Sequence, residues 1–261
     1  MEKLRLLKSY LTYFFKSTNE HGIHSPFVYE LYTNTIKDKT PFYSFADIES
    51  IRAMLLLSKQ EIEVKDFGAG SKLTASNKRK ISSIVKNAAK SPKYGQLLFR
   101  LVNRFKPSTV LEIGTSLGIS TMYLAAPNKK SRVITIEGCP TISKIAAINF
   151  KKIKYEHIEL HNGTFEEMLP TIIAKEKVLN FVFFDGNHTK NATLTYFNWC
   201  LEKANEQSVF VFDDIYWSEE MKCACKEIKA HPKVTTTIDL FFLGIIFFNP
   251  DLSKEDFVLR F

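Results

Sequence analysis

At 261 residues, 45% of them hydrophobic and 25% charged, the chain can bury a substantial core, and its composition is that of a folded globular protein and not of a disordered or fibrous one. Its net charge of +8 is uneven: residues 1–106 hold 19 Lys/Arg against 9 Asp/Glu, and residues 107–261 hold 17 against 19. A basic N-terminal part suits an anionic partner such as RNA or a lipid headgroup, although lysines solvated on helix faces are the plainer reading.

In chain order, MEKLRLLKSYLTYFFKS has a basic start, but Lys8, Thr12 and Lys16 interrupt its apolar run and no small-residue cleavage site follows. It reads as neither a signal peptide nor a membrane span, and FFLGIIFF (241–248) is too short to cross a bilayer. A cytoplasmic protein is therefore expected. In HSPFVYELYTNTI, Ser25 is a natural N-cap and Pro26 suits the first helical position, where a missing N–H costs nothing. Ser44 and Asp47 approximate a capping box ahead of IESIRAMLLLSK. His21 and His24 sit in a loop-like stretch and read as structural.

Next comes DFGAGS (66–71), an acidic residue and a glycine-rich turn. The weakly apolar EIEVK precedes it, and no strand or acid stands about twenty residues on, so it reads as a flexible turn between helices or as a lid. SPKYGQLLFRLVNRF repeats the Ser-Pro helix start at 91–92 and keeps Leu97, Leu98, Leu101, Val102 and Phe105 at helical spacing.

From Pro107 the texture changes. Short apolar runs at 109–114, 132–138, 157–163, 179–186 and 208–214 alternate with stretches long enough for crossover helices. A helix over about 217–230 and two β-rich runs, VTTTIDLF and FFLGIIFF, follow. Five parallel strands and a closing pair predict a doubly wound, mostly parallel seven-stranded α/β sheet of Rossmann-like form. The expected division is an N-terminal helical extension over 1–90 and a sheet domain over 91–261. The many phenylalanines read as core filling. Cys139, Cys200, Cys223 and Cys225 lack zinc-ligand spacing, so reduced, mostly buried thiols are expected.

A cofactor loop needs a buried strand before it and a helix after it, and LEIGTSLGIS (111–120) has both. The next strand ends on Glu137, an acid placed to accept hydrogen bonds from both ribose hydroxyls of an adenosine. The spacing Glu112-x-Gly114-x-x-x-Gly118, with Thr115, Ser116 and Leu117 in the turn, departs from the GxGxxG of dinucleotide enzymes, which counts against a nicotinamide dehydrogenase. Phosphate cradling is weaker in such a turn. A ligand with ribose and amino-acid parts but no phosphate suits it, which points to S-adenosylmethionine.

With these motifs in view, the sequence resembles the class I S-adenosylmethionine-dependent methyltransferases, above all the catechol and caffeoyl-CoA O-methyltransferase group. KYGQLL (93–98), LEIGTSLGIS, ITIEG and NGTFEEMLP (162–170) carry the resemblance, which runs from about Lys93 to Phe248. It implies the Rossmann-like methyltransferase fold. It also implies that Glu112, Gly114, Thr115, Gly118 and Ser120 line the methionine part of the cofactor, that Glu137 holds the ribose, and that Thr164 and Phe165 border the adenine.

FFDGNH ends the fourth strand on Asp185, and FDDIYW ends the fifth on Asp213 and Asp214. Three carboxylates converging beside the cofactor would repel unless a cation sat among them, and hard oxygen ligands suit Mg²⁺. Asp185 and Asp214 as plain helix N-caps are the other reading. The resembled group binds a divalent metal through two aspartates and an asparagine, so Asp214 departs from its pattern. Its catechol-type members also carry a lysine base where this chain has His188. His188 is therefore expected as the base, a helix cap or a further ligand, with Lys190 second as a base and Tyr216 and Trp217 selecting substrate. The expected activity is metal-assisted O-methylation of a small-molecule hydroxyl. The competing readings are an RNA methyltransferase gripping phosphates with its basic part, and a noncatalytic cofactor-binding scaffold. A homodimer is an allowed assembly.

Overall fold

The computed structural model describes residues 2–65 and 78–261, so DFGAGS lies outside the described residues. Helix α1 (Glu2–Lys16) is followed by α2 (Pro26–Leu31), a widened turn over Tyr32–Ile36 and α3 (Tyr43–Leu57). Ser25 caps α2 as expected: its hydroxyl accepts from the Val28 N–H, with Pro26 in the first turn. Helix α3 has Phe42 at its N-cap, with no side-chain cap. Ser44 lies inside the helix, and the capping box expected with Asp47 does not form. The side chains of Phe42 and Phe45 pack against Phe99 instead. Apolar packing, not a polar cap, starts this helix.

Strands β1 (Glu61–Glu63) and β2 (Lys78–Lys80) pair antiparallel, with Glu61 opposite Lys80 and Glu63 opposite Lys78. The apolar content of EIE and KRK is too low to announce them, and complementary cross-strand charges do the pairing. Helix α4 (Ile81–Ala88) and α5 (Pro92–Phe105) follow, and Ser91 is the N-cap of α5 with Pro92 in its first turn.

The alternating part begins with β3 (Thr109–Ile113), α6 (Ile119–Ala125), β4 (Arg132–Glu137), α7 (Pro140–Lys152), β5 (Ile158–Asn162) and α8 (Phe165–Lys175). It continues with β6 (Phe181–Phe184), α9 (Lys190–Leu201), β7 (Val209–Asp213), α10 (Glu219–Ala230), β8 (Thr236–Asp239), β9 (Leu243–Phe247) and β10 (Glu255–Val258). Apart from the small β1–β2 ribbon there are eight strands among the described residues, one more than the seven expected. The additional strand is β10, a charged edge strand (EDFV) that pairs parallel with β8.

The chain divides into two compact units, 1–38 with 173–261, and 39–172. This partition crosses the sheet-bearing part of the sequence. In the 39–172 unit, β4 pairs parallel with β3 on one side and β5 on the other. Strands β3 and β4 are buried on both faces, which is why they read as largely apolar runs, with Glu112 and Thr135 as buried polar members. Helix α5 meets α6 through Gly95, whose missing side chain makes room for the Tyr123 ring; a Cβ there would stand 2.4 Å from it. In the other unit the strand order is β10-β8-β9-β7-β6: β6 and β7 are parallel, and β9 runs antiparallel to β7 and β8. Phenylalanines fill this core, among them Phe184 stacked on Phe212 and Phe210 against Phe248. Among the described residues, no helix is long and apolar enough to cross a membrane.

Candidate functional site

In the 39–172 unit the carboxyl ends of β3, β4 and β5 deliver Gly114, Glu137 and Asn162, the edge where ligands gather in open α/β sheets. The turn after β3 is tight. Gly114 and Gly118 take φ of 110° and 85°, and Ser116 takes 48°. Gly118 has a second reason to lack a side chain, since a Cβ would lie 2.4 Å from the Phe150 ring of α7. The glycine spacing is thus set partly by packing beneath the turn.

Glu137 braces this turn with both oxygens. Oε2 accepts from the Ser116 N–H and Oε1 from the Cys139 N–H, each at 2.8 Å. A carboxylate offers roughly four acceptor sites, so clamping backbone and holding a sugar are compatible. Asn162 Nδ2 donates to the Glu137 carbonyl, tying β5 to the same corner. On the far side of the turn, the buried Asn149 donates to the Leu117 carbonyl at 2.9 Å.

Glu112 sits below the turn and is fully enclosed. Its Oε2 accepts from the hydroxyls of Thr121 and of Thr135, the latter at 2.6 Å. Thr135 has only one hydroxyl proton and gives it to Glu112, so Thr115 is the donor in the 2.6 Å Thr115–Thr135 bond. Glu112 and Thr115 therefore anchor the turn from inside. Ser120 is buried in the first turn of α6. Thr164 and Glu167 form a reciprocal capping box at the start of α8: the Thr164 hydroxyl accepts from Glu167 N–H, and Glu167 Oε2 accepts from Thr164 N–H. Phe165, the first residue of α8, is half-buried.

In the other unit, Asp185 follows β6 and Asp213 ends β7. Asp185, His188 and Asp213 each offer one ligand atom, and these atoms lie within 4.8 Å of one another. His188 Nε2 stands 3.8 Å from Asp185 Oδ1. Asp213 is fully buried, while the other two keep partial access. Asp214 is not in this group; it occupies a left-handed backbone turn with φ of 52°. The expected trio of carboxylates is therefore two carboxylates and an imidazole. The helix-cap reading also fails, because Thr189 is the N-cap of α9 and Ser218 that of α10. Oxygen, nitrogen and oxygen donors at this separation fit a divalent cation, and the imidazole widens the choice from Mg²⁺ toward the softer first-row metals.

Lys190 Nζ pairs with Glu227 at 2.5 Å, and that carboxylate raises the lysine pKa, which keeps it protonated and unsuited to act as a base. Tyr216 donates to Asp239 at 2.7 Å and stacks on Phe241; burial raises the pKa of both hydroxyl and carboxyl. It is anchored, whereas Trp217 is 54% exposed. Cys139 and Cys200 are buried as expected, but Cys223 is exposed. The sequence reading missed Thr121, Thr135, Asn149 and Phe150. Their only sequence signal is hydroxyl and amide groups set among apolar neighbours, which marks satisfied buried partners but names no role.

A methyltransferase-domain family model matches residues 111–215, which spans both the glycine turn and the acidic cluster. The chain is 30% identical over 129 residues to a catechol O-methyltransferase of Mycobacterium tuberculosis, covering 49% of this chain and 57% of that protein. It is 27% identical over 128 residues to a catechol O-methyltransferase of Niastella koreensis, covering 48% and 57%. The chain thus spans just over half the length of these relatives. Among solved structures, it is similar to an O-methyltransferase from Bacillus cereus in complex with SAH, with a TM-score of 0.57, 19% identity, and 84% and 96% of the two chains covered. It is similar also to the O-methyltransferase TomG of Streptomyces achromogenes in complex with SAM, with a TM-score of 0.54, 22% identity, and 62% and 82% covered. The fold is that of these proteins, and the resemblance read from the motifs holds.

Proposed function

We propose that this chain, which has the Rossmann-like class I methyltransferase fold, is an S-adenosylmethionine-dependent O-methyltransferase that acts on a small-molecule hydroxyl with help from a divalent cation. The carrying observation is the Asp185–His188–Asp213 cluster, in a chain whose glycine turn is braced against an acid at the end of the next strand. The names of the relatives support the same reading. A noncatalytic scaffold has no need of converging ionisable groups.

When bound, S-adenosylmethionine supplies a methyl group on a sulfonium; transfer forms an oxygen–carbon bond, breaks the carbon–sulfur bond and requires the hydroxyl proton to leave. Gly114, Thr115, Gly118 and Ser120 shape the turn around its methionine part, Glu112 supporting them from below. Glu137 accepts from the ribose hydroxyls, and Thr164 and Phe165 border the adenine. Asp185 and Asp213 hold the cation, with Asp214 beside them in sequence; when bound, the cation lowers the pKa of a hydroxyl on it. His188, its Nε2 3.8 Å from Asp185 Oδ1, takes the proton. The three-way proximity of the ligand atoms favours a second role, in which His188 is the third ligand. We read the protein as cytoplasmic, with residues 1–90 as a cover and residues 91–261 as the catalytic part.

Calorimetric titration with S-adenosylhomocysteine, with and without Mg²⁺ or Mn²⁺, on wild type and Asp213→Ala tests this. Nucleoside binding that survives the substitution while cation binding disappears is the expected result. No heat with the nucleoside under any condition would remove the proposal.

A further inference from the structure

Helix α1 turns an apolar face to solvent. Leu4 is 71% exposed, Leu7 52%, Leu11 47% and Phe15 83%, and their three- and four-residue spacing puts them on one side of the helix. The opposite side is fastened down. Tyr13 is buried and its hydroxyl donates to the Leu259 carbonyl, while Ser9 and Ser17 are buried beside it. The orientation of α1 is therefore fixed, and its apolar stripe is not a face that turns inward on repacking.

The charge on the helix itself is cationic along this stripe, with the exposed Glu219 of α10 near Arg5. Residues 4–19 contain Arg5, Lys8 and Lys16 and no acidic residue. Lys8 and Lys16 are exposed, and Arg5 donates to the Trp217 carbonyl at 2.6 Å, which brings a 54%-exposed indole alongside the helix. Phe242, also partly exposed, packs on Phe241, which touches Tyr10 and Tyr13. An apolar stripe, a cationic margin and aromatic neighbours are what a helix lying in a lipid–water boundary requires. A second copy of this chain apposed stripe to stripe would bring Lys8 and Lys16 toward their own image.

We propose that α1 docks the protein on an anionic lipid surface, lying in the plane of the headgroups without spanning the bilayer. This does not rest on the enzymatic reading. The acyl boundary takes Leu4, Leu7, Leu11 and Phe15, and the lipid phosphates face Lys8 and Lys16.

The test is sedimentation of the full chain with phosphatidylcholine vesicles, with and without phosphatidylglycerol, at low and high salt. Expected are binding to the anionic vesicles that weakens with salt, and little binding to the neutral ones. Leu7→Gln with Leu11→Gln should reduce binding at least about tenfold, and Lys8→Gln about fivefold. Both sites are exposed, so circular dichroism and melting should match wild type; Phe15→Ser is the second variant should the pair fail to fold. Absence of binding to anionic vesicles overturns the proposal, as does equal binding to both lipids. So does a concentration-dependent dimer that Leu7→Gln and Leu11→Gln dissolve, since the stripe would then belong to a second copy.

Discussion

The glycine turn and the acidic cluster are built on opposite plans. Around the turn, polar groups close on one another: Glu112 takes two threonine hydroxyls, Glu137 two backbone N–H groups, and Asn149 the Leu117 carbonyl. In the cluster, three ionisable groups aim single atoms at the same few ångströms, and His188 Nε2 stands at 3.8 Å from Asp185 Oδ1, beyond hydrogen-bond distance. The turn holds its shape through its own bonds. The cluster brings like charges together, and a cation bound there would offset them.

The largest test of this contrast is His188→Gln. If the imidazole takes the proton, turnover falls about 10²–10⁴-fold with cation affinity unchanged; if it is a ligand, cation affinity falls in calorimetry as well. Either way S-adenosylhomocysteine binding and the melting temperature should hold, and their loss would merge the two regions into one. Next is Gly118→Val, which forces a β-branched residue to a φ of 85° and into the Phe150 ring. Strain and overpacking together should cost about 3 kcal/mol in urea denaturation. A double-mutant cycle with Phe150→Ala separates them, because only the clash is shared with Phe150. Thr135→Val takes a donor from Glu112 and an acceptor from Thr115, and should cost about 1–3 kcal/mol while leaving cation affinity alone.

The smallest effect lies away from both regions. Burial, with Lys233 and Lys254 nearby, lowers the His231 pKa below its ordinary value. The unfolded chain then takes up the proton first, so stability should fall as pH drops through the histidine range. Only a small slope is expected at a partly buried site, and His231→Asn should flatten it in melts across that range.

Strands β3, β4, β6 and β7 were readable in the sequence because sheet interiors buried on both faces leave largely apolar runs. The turn between β3 and α6 was readable because its backbone needs glycine. Strand β10 was not: an edge strand with one covered side chain, Phe257, looks like loop. The β1–β2 ribbon was hidden for a related reason, since its pairing is carried by charge. At the cluster, spacing along the chain located the aspartates but could not say which side chains share a point. Asp213 and Asp214 are adjacent in sequence, and a left-handed backbone at Asp214 separates their roles. The buried hydroxyls of Thr121 and Thr135 went unseen because a threonine in an apolar run is also an ordinary strand or helix residue.

The clasp that fastens α1 is made from the far end of the chain. Thr18 bridges Leu259, its N–H bonds the Val258 carbonyl, Arg260 N–H bonds back to Thr18, and the Tyr13 and Tyr32 hydroxyls reach the Leu259 and Arg260 carbonyls. During synthesis, α1 therefore gains this clasp only once residues 255–260 have been made. Until then the Tyr13 hydroxyl lacks the carbonyl it donates to, and the buried side of the helix lacks the chain end that covers it.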